Sequence, residues 1–113
     1  MLTNVDIWSD QESGATVQAE SRGNGRLVLR FHIGSVDMSI NSTRNALICA
    51  SLGGRTHFAS NEGACEFHRT GDSLQIVAQQ WRGDRESVSL DPLMFEVALR
   101  SLSDVEAPRA KLL

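Results

Sequence analysis

Two stretches of the chain, fifty positions apart, share one pattern. Residues 37–52 read DMSINSTRNALICASL and residues 87–102 read SVSLDPLMFEVALRSL. In each, a short run of alternating apolar and polar residues is followed by a residue that can cap a helix, and then by an apolar run that ends in Ser-Leu. Alternation with a period of two is typical of a strand with one buried face. The shared order predicts a unit of strands closed by a helix, written twice.

Alternating runs separated by short turns favour antiparallel strands elsewhere in the chain. The clearest run is RLVLRFHI at residues 26–33, where one face carries Leu27, Leu29, Phe31 and Ile33 and the other carries Arg26, Val28, Arg30 and His32. The preceding segment RGNG supplies the Asn and Gly that tight hairpins need. The turn signals NEG and GD separate RTHFAS, ACEFHRT and SLQIVAQQW. The sequence therefore predicts a hairpin in the first half and a meander of strands in the second.

The stretch DPLMFEVALRSL, residues 91–102, has the features of a helix. Asp91 is placed to cap the first turn, and Pro92 takes the first helical position, where proline is favoured. An apolar stripe at helical spacing follows, formed by Phe95, Ala98, Leu99 and Leu102. This stretch is the strongest helix prediction in the chain.

The stretch NSTRNALICASLGG, residues 41–54, allows two interpretations. As a helix, it has Asn41 or Ser42 as its cap and ends at Gly53-Gly54. As a strand, ALICASL pairs through the Gly-Gly turn with RTHFAS. The helix is favoured because the second copy of the pattern supports it.

The predicted fold is a single α+β domain over residues 1–113, with an antiparallel β-sheet and two helices. The possible internal repeat covers residues 15–53 and 55–103, and residues 104–113 form a loose C-terminal tail. The alternative is an all-β roll or pleckstrin-like barrel with one C-terminal helix. The predicted core consists of Leu27, Leu29, Phe31, Ile33, Ile48, Leu52, Leu74, Ile76, Leu90, Phe95, Leu99 and Leu102.

Motifs for catalysis, metals and cofactors are missing from the sequence. There is no G-x-S-x-G nucleophile motif and no Gly-rich phosphate loop before a helix, so we expect no enzyme and no cofactor. Cys65 and His68 lie three apart in a predicted strand and point to opposite faces, which argues against a metal site. Both cysteines, Cys49 and Cys65, are expected to be reduced and largely buried. No window approaches the roughly 18 apolar residues of a membrane span, and a cytoplasmic location is expected.

Charge is distributed unevenly along the chain. The net charge of −3 argues against a strongly electrostatic hold on nucleic acid. Residues 1–21 hold four acids and no base, whereas residues 22–55 hold five arginines against Asp37 alone. The second segment predicts a local positive surface.

The order of elements resembles that of the superfamily containing Whirly proteins, PUR-repeat proteins and the positive-cofactor-type coactivators. The segments most similar to a PUR repeat are RLVLRFHIGSVDMSINSTRNALICASL and SLQIVAQQWRGDRESVSLDPLMFEVALRSL. The resemblance covers nearly the whole chain. It implies a curved antiparallel sheet with helices on the opposite side, and binding of single-stranded DNA or RNA on the sheet.

Five residues are candidates for such a site. Guanidinium groups that follow a nucleic-acid backbone are offered by Arg26 and Arg30, with His32 on the same strand face, and a stacking surface is offered by Trp81 and Arg82. The sequence thus favours a non-enzymatic, regulatory protein that binds single-stranded nucleic acid with weak sequence selectivity. A homo-oligomer, most simply a homodimer, is expected because sheet edges attract other strands. The alternative is a small protein-interaction module, such as an adaptor, immunity protein or inhibitor, that binds a protein partner.

Overall fold

The computed structural model describes residues 3–102, and the predicted tail at residues 104–113 lies outside this range. Each half of the chain forms four strands followed by a helix. The first half consists of β1 (Asn4–Asp10), β2 (Ala15–Gly23), β3 (Arg26–Ile33), β4 (Val36–Thr43) and α1 (Arg44–Leu52). The second half consists of β5 (Arg55–Ala59), β6 (Gly63–Thr70), β7 (Ser73–Gln80), β8 (Arg85–Leu90) and α2 (Pro92–Arg100).

The strands form two antiparallel meanders of four, which we call the first sheet (β1–β4) and the second sheet (β5–β8). Short turns fix the pairing: Asn24 and Gly25 both have positive φ, 57° and 75°, between β2 and β3. The predicted α+β class with two helices is confirmed, and the same order of elements occurs twice. The barrel alternative is wrong, because residues 44–52 are helical and neither sheet closes on itself within residues 3–102.

The strand β1 was not predicted from the sequence. Its pairing with β2 shifts register between Asp6 and Trp8, so the period-two alternation breaks at Ile7. Val5 and Trp8 pack against the core as half-buried side chains, and Ile7 is buried. The first sheet therefore begins at Asn4.

Both helices begin at side-chain caps. The Thr43 hydroxyl accepts the backbone N–H of Ala46 at 3.1 Å, so the cap of α1 is Thr43 and not Asn41 or Ser42. The Asp91 carboxylate accepts the N–H of Leu93 at 2.8 Å, as predicted, with proline in the first turn. Gly53 ends α1, also as predicted.

The two halves share one hydrophobic core. α1 packs against β6 of the second sheet, and α2 packs against β1 of the first, so each helix also covers the sheet of the other half. Phe67 lies at the centre, with its ring 5.5 Å from the rings of both Phe58 and Phe95 in edge-to-face contacts. The face of each sheet that is turned away from this core is called its outer face.

The predicted core residues are buried, with two exceptions. Leu52 is 63% exposed, because it is the last residue of α1 and points past the end of the packed surface. Leu90 is half-buried and packs against the core. Cys49 is exposed, contrary to expectation, whereas Cys65 is buried and burial raises the pKa of its thiol to about 12.

Replacing Phe95 with alanine tests the shared core. Phe95 is fully buried against Phe67, so Phe95→Ala removes apolar contacts and leaves a cavity, and we expect a loss of about 3–5 kcal/mol in the free energy of unfolding. Urea denaturation measures this loss. The neighbouring Met94 is 61% exposed, so Met94→Ala is the matched control and is expected to change stability by less than about 0.5 kcal/mol. Equal effects of the two substitutions would contradict this packing.

Candidate functional site

The second sheet contacts the first along the edge of β4 that is not paired with β3. Ser60 and Glu62, in the turn between β5 and β6, and Gln80, at the end of β7, reach this edge, and we call these three residues the β4 clamp. Glu62 Oε1 accepts the backbone N–H of Ser39 at 2.6 Å and its hydroxyl at 2.9 Å. Gln80 Oε1 accepts the N–H of Asp37 at 3.1 Å, and the Ser60 hydroxyl donates to the Ser39 carbonyl at 2.9 Å. Side chains of one sheet thus take the place of a fifth strand beside the other.

These hydrogen bonds favour the ionised form of Glu62. The backbone N–H of Ser39, then its hydroxyl, and to a smaller extent the charge of Arg30, hold the pKa of the Glu62 carboxyl below its usual value of 4.5. Partial desolvation acts in the opposite direction and is outweighed. The clamp therefore carries a negative charge at neutral pH.

The backbone and the indole of Trp81 are both anchored to the turn that carries the clamp. The backbone N–H of Trp81 donates to the Glu62 carbonyl at 3.0 Å, and indole Nε1 donates to the Ser60 carbonyl at 2.9 Å. The side chain nevertheless remains 48% exposed. Trp81 is therefore held in one orientation while its ring stays open to solvent.

A shallow cavity of about 240 Å³ lies beside Trp81 on the outer face of the second sheet. We call it the Trp81 cleft, and it is lined by His57, Ala64, Cys65, Glu66, Val77, Gln79, Trp81 and Arg85. Strand register brings these residues together: Ala64 pairs with Gln79, which pairs with Arg85 on the next strand. Small side chains at Ala64 and Val77 leave room above the sheet, so a flat group can lie there next to the indole.

Arg85 lines this cleft, and two further arginines, Arg55 and Arg82, lie on neighbouring elements. Within residues 3–102, Arg82 and Arg85 form no ion pair or side-chain hydrogen bond, and both are exposed. Arg55, on the same outer face, makes a long contact of 3.9 Å with Glu66. Arg82 has a φ of 59°, which turns the chain sharply after Trp81. Guanidinium groups near an exposed indole are available to an anionic ligand.

The outer face of the first sheet has a different electrostatic character. Arg30 donates to Glu20 Oε1 from Nη2 at 3.1 Å, and Arg22 contacts the other oxygen of the same carboxylate at 3.6 Å. Glu62 also lies beside Arg30, where both line a cavity of about 190 Å³. The charge of Arg30 is thus already balanced within the protein.

The arginines of residues 22–55 do not form one surface. Arg22, Arg26 and Arg30 lie on the outer face of the first sheet, whereas Arg44 donates to the Leu102 carbonyl and Arg55 lies on the second sheet. The positive charge predicted for this segment is therefore divided among different parts of the fold. The segment is basic along the chain, but the fold distributes its charges.

The predicted site residues fall into two groups. Arg26, Arg30 and His32 occupy the exposed outer face of β3, as the alternation predicted, and Trp81 and Arg82 lie at the end of β7. The two groups approach each other at Glu62. The backbone carbonyl of Glu62 accepts the N–H of Trp81, and Glu62 lines a cavity together with Arg30. Sequence reasoning missed His57, Gln79 and Arg85, whose positions around Trp81 follow from the register of the second sheet. The only signal for them in the sequence is their place on the polar face of each run.

A larger cavity lies at the end of the first sheet. It has a volume of about 660 Å³ and is lined by Arg22, Arg26, Leu27, Asn41, Ser42 and Thr43. It contains no aromatic side chain, and Arg22 there already contacts Glu20. Across residues 3–102 no cluster of three or more His, Cys, Asp or Glu side chains is arranged to hold a metal ion. In the same range, no helix has the length and apolar character needed to cross a bilayer.

Compared with known proteins, the chain matches no family model, no curated protein and no solved structure.

The clamp predicts a specific pH dependence of stability. Because the folded-state pKa of Glu62 is lowered, its contribution is fully present above about pH 4.5 and is lost as the pH falls through the lowered value. Glu62→Gln keeps an acceptor oxygen but removes the charge, so we expect the variant to lose less stability than the wild type between about pH 7 and pH 3. Urea midpoints across this range measure the difference. Glu12→Gln, an exposed carboxylate outside the clamp, is the control and should follow the wild type.

Proposed function

We propose that the chain is a non-enzymatic, regulatory protein that binds single-stranded DNA or RNA, and that the strand lies across the outer face of the second sheet at the Trp81 cleft. The observation that carries this proposal is the anchored, half-exposed indole of Trp81 beside a cleft with a small-residue floor and unpaired guanidinium groups. The order of elements is the one on which the resemblance to the Whirly and PUR-repeat superfamily rests, and membership in that superfamily is part of the proposal.

The chemistry of the cleft suits a base and its adjoining phosphates. An unstacked base can lie flat on the indole, and stacking of this kind tolerates any base because every base has a π-face. Arg85 lines the cleft and Arg82 follows Trp81 in the turn, and both can contact phosphate oxygens next to the stacked nucleotide. Duplex DNA is disfavoured as a ligand, because its bases are already stacked on one another.

The first sheet supplies secondary contacts in this proposal. A strand that passes from Trp81 over Glu62 reaches the outer face of β3, where Arg26 and His32 are exposed and form no ion pair within the described residues. Arg30 contributes less than its position on β3 suggested, since Glu20 already holds its guanidinium. The net charge of −3 is compatible with binding, because Arg85 lines the cleft and Arg82 follows Trp81, whereas Glu66 is the one carboxylate among the residues that line the cleft.

Fluorescence anisotropy with a labelled, mixed-sequence single-stranded oligonucleotide at low salt tests the site. We expect Trp81→Ala to weaken binding by an amount equivalent to about 1–3 kcal/mol, since one stacking contact is lost. Trp81→Phe keeps a ring and is expected to weaken binding less. The logarithm of the wild-type binding constant should fall linearly with the logarithm of the salt concentration, with a slope of roughly −0.7 per phosphate neutralised.

The arginines provide a matched comparison. Arg85→Gln should weaken binding to all sequences alike and reduce the salt slope by about 0.7, because a phosphate contact carries no base information. Arg22→Gln, whose guanidinium contacts Glu20 and lies on the other sheet, should change the affinity little. No binding by the wild type at about 100 μM protein, where non-specific binders respond, would refute the proposal.

The exposed apolar side chains of the two helices favour a protein contact as well. Leu52 is 63% exposed on α1, and on α2 Leu93 is 70% and Val97 61% exposed. The two helices pack against each other, and Arg44 at the start of α1 donates to the carbonyl of Leu102 beyond α2. We assign this surface to a second copy of the chain, in a homodimer that forms in the cytoplasm, where the free thiols Cys49 and Cys65 stay reduced.

Sedimentation at micromolar concentration tests the homodimer. We expect a species of twice the 12.4 kDa chain mass, and Val97→Glu should shift it to the monomer because it places a charge in the apolar contact. Ser87→Glu, on the outer face of the second sheet, is the matched control and should leave the dimer intact. A wild-type species near the mass of one chain would contradict the homodimer. The apolar surface of the helices would then be assigned to a different protein partner.

A further inference from the structure

The orientation of one amide in the Trp81 cleft is fixed by the protein itself. Gln79 Nε2 donates to three carbonyl oxygens of the turn between β7 and β8: those of Gln80 at 2.9 Å, Gly83 at 3.0 Å and Asp84 at 3.2 Å. The two N–H groups of the amide are therefore shared among three acceptors. Rotating the amide by half a turn would set its oxygen against these carbonyls, so the oxygen is forced to the other side.

The amide oxygen is left as an acceptor without a donor. Within residues 3–102 no group donates to Gln79 Oε1, although its side chain lines the cleft next to Trp81. Glu66, which lines the same cleft, is a second acceptor, and among the described residues it makes only the long contact with Arg55. A ligand that stacks on the indole thus meets acceptors at this end of the cleft.

We propose that Gln79 makes the cleft selective for bases with an amino group at pyrimidine C4 or purine C6, which are cytosine and adenine, over uracil and thymine. This inference rests on the proposed function, because it concerns the base that stacks on Trp81. The amino groups of cytosine and adenine donate to an acceptor, whereas the corresponding position of uracil and thymine is a carbonyl oxygen. With uracil in the same position, its O4 faces Gln79 Oε1 as a second acceptor, and the base must shift away from the position of cytosine to offer its N3–H instead.

The pair cytosine and uracil isolates the interaction. The two bases have the same ring size and differ at the exocyclic group, so stacking on Trp81 and the phosphate contacts of Arg85 stay nearly constant. Homo-oligomers of deoxycytidine and deoxyuridine place the same base in the cleft in every binding register. Deoxyuridine is preferred to thymidine as the comparison because it lacks the additional methyl group.

Fluorescence anisotropy at neutral pH with these two oligomers is the test. We expect the wild type to bind the deoxycytidine oligomer about two- to tenfold more tightly, the range of one hydrogen bond to a neutral group. Gln79→Met removes the acceptor and should abolish the preference. Gln75→Met, an exposed glutamine on the same face of β7, is the matched control and should retain it.

The outcomes separate the inference from the proposed function. If the wild type binds both oligomers equally, the inference is overturned and single-stranded binding stands. If it binds neither, the proposed function is overturned together with the inference. If Gln79→Met does not fold, the NMR resonance of the Gln79 side-chain amide in the wild type is followed as each oligomer is added. A larger shift with deoxycytidine than with deoxyuridine supports the inference, and equal shifts overturn it.

Discussion

The shared core is the constraint on which the rest of the structure depends. α1 follows the first sheet in the chain but also packs against β6, and α2 follows the second sheet but also packs against β1. Neither half can cover its own apolar face with its own helix alone, so the two halves fold against each other. The edge-to-face contacts of Phe67 with Phe58 and Phe95 lie where these elements meet. The position of one sheet relative to the other, and with it the placement of Trp81, follows from this packing.

The order of elements could be predicted because it rests on local patterns. The alternation of residues 26–33 and the cap and proline of α2 each depend on neighbours within one element, and the structure agrees with both. β1 was missed because its bulge breaks the period of two. Leu52 was assigned to the core because its spacing fits the stripe, but its position at the end of α1 takes it past the packed surface. These differences arise where tertiary geometry, and not periodicity, decides which side chains are covered.

For the candidate site, the sequence predicted only which face of a strand carries each residue. Arg26, Arg30 and His32 share an exposed face as the alternation indicated, yet the ion pair of Arg30 with Glu20 depends on the register of β2 against β3. The gathering of Gln79 and Arg85 around Trp81 depends in the same way on register across three strands and on the turn that follows β7. Register joins residues that are far apart in the sequence, and a single sequence holds little information about it.

Side chains of the β4 clamp occupy backbone groups that a strand from another molecule would need in order to add to the first sheet. The N–H groups of Asp37 and Ser39 and the carbonyl of Ser39 are already bonded by Gln80, Glu62 and Ser60. Unpaired strand edges are templates for aggregation, and irregular backbone or charge blunts them. At the opposite edge of the same sheet, the bulge in β1 interrupts the regular spacing of its backbone groups. Both edges of the first sheet are therefore protected against the addition of strands from other molecules, which is the step by which a sheet extends into a fibre.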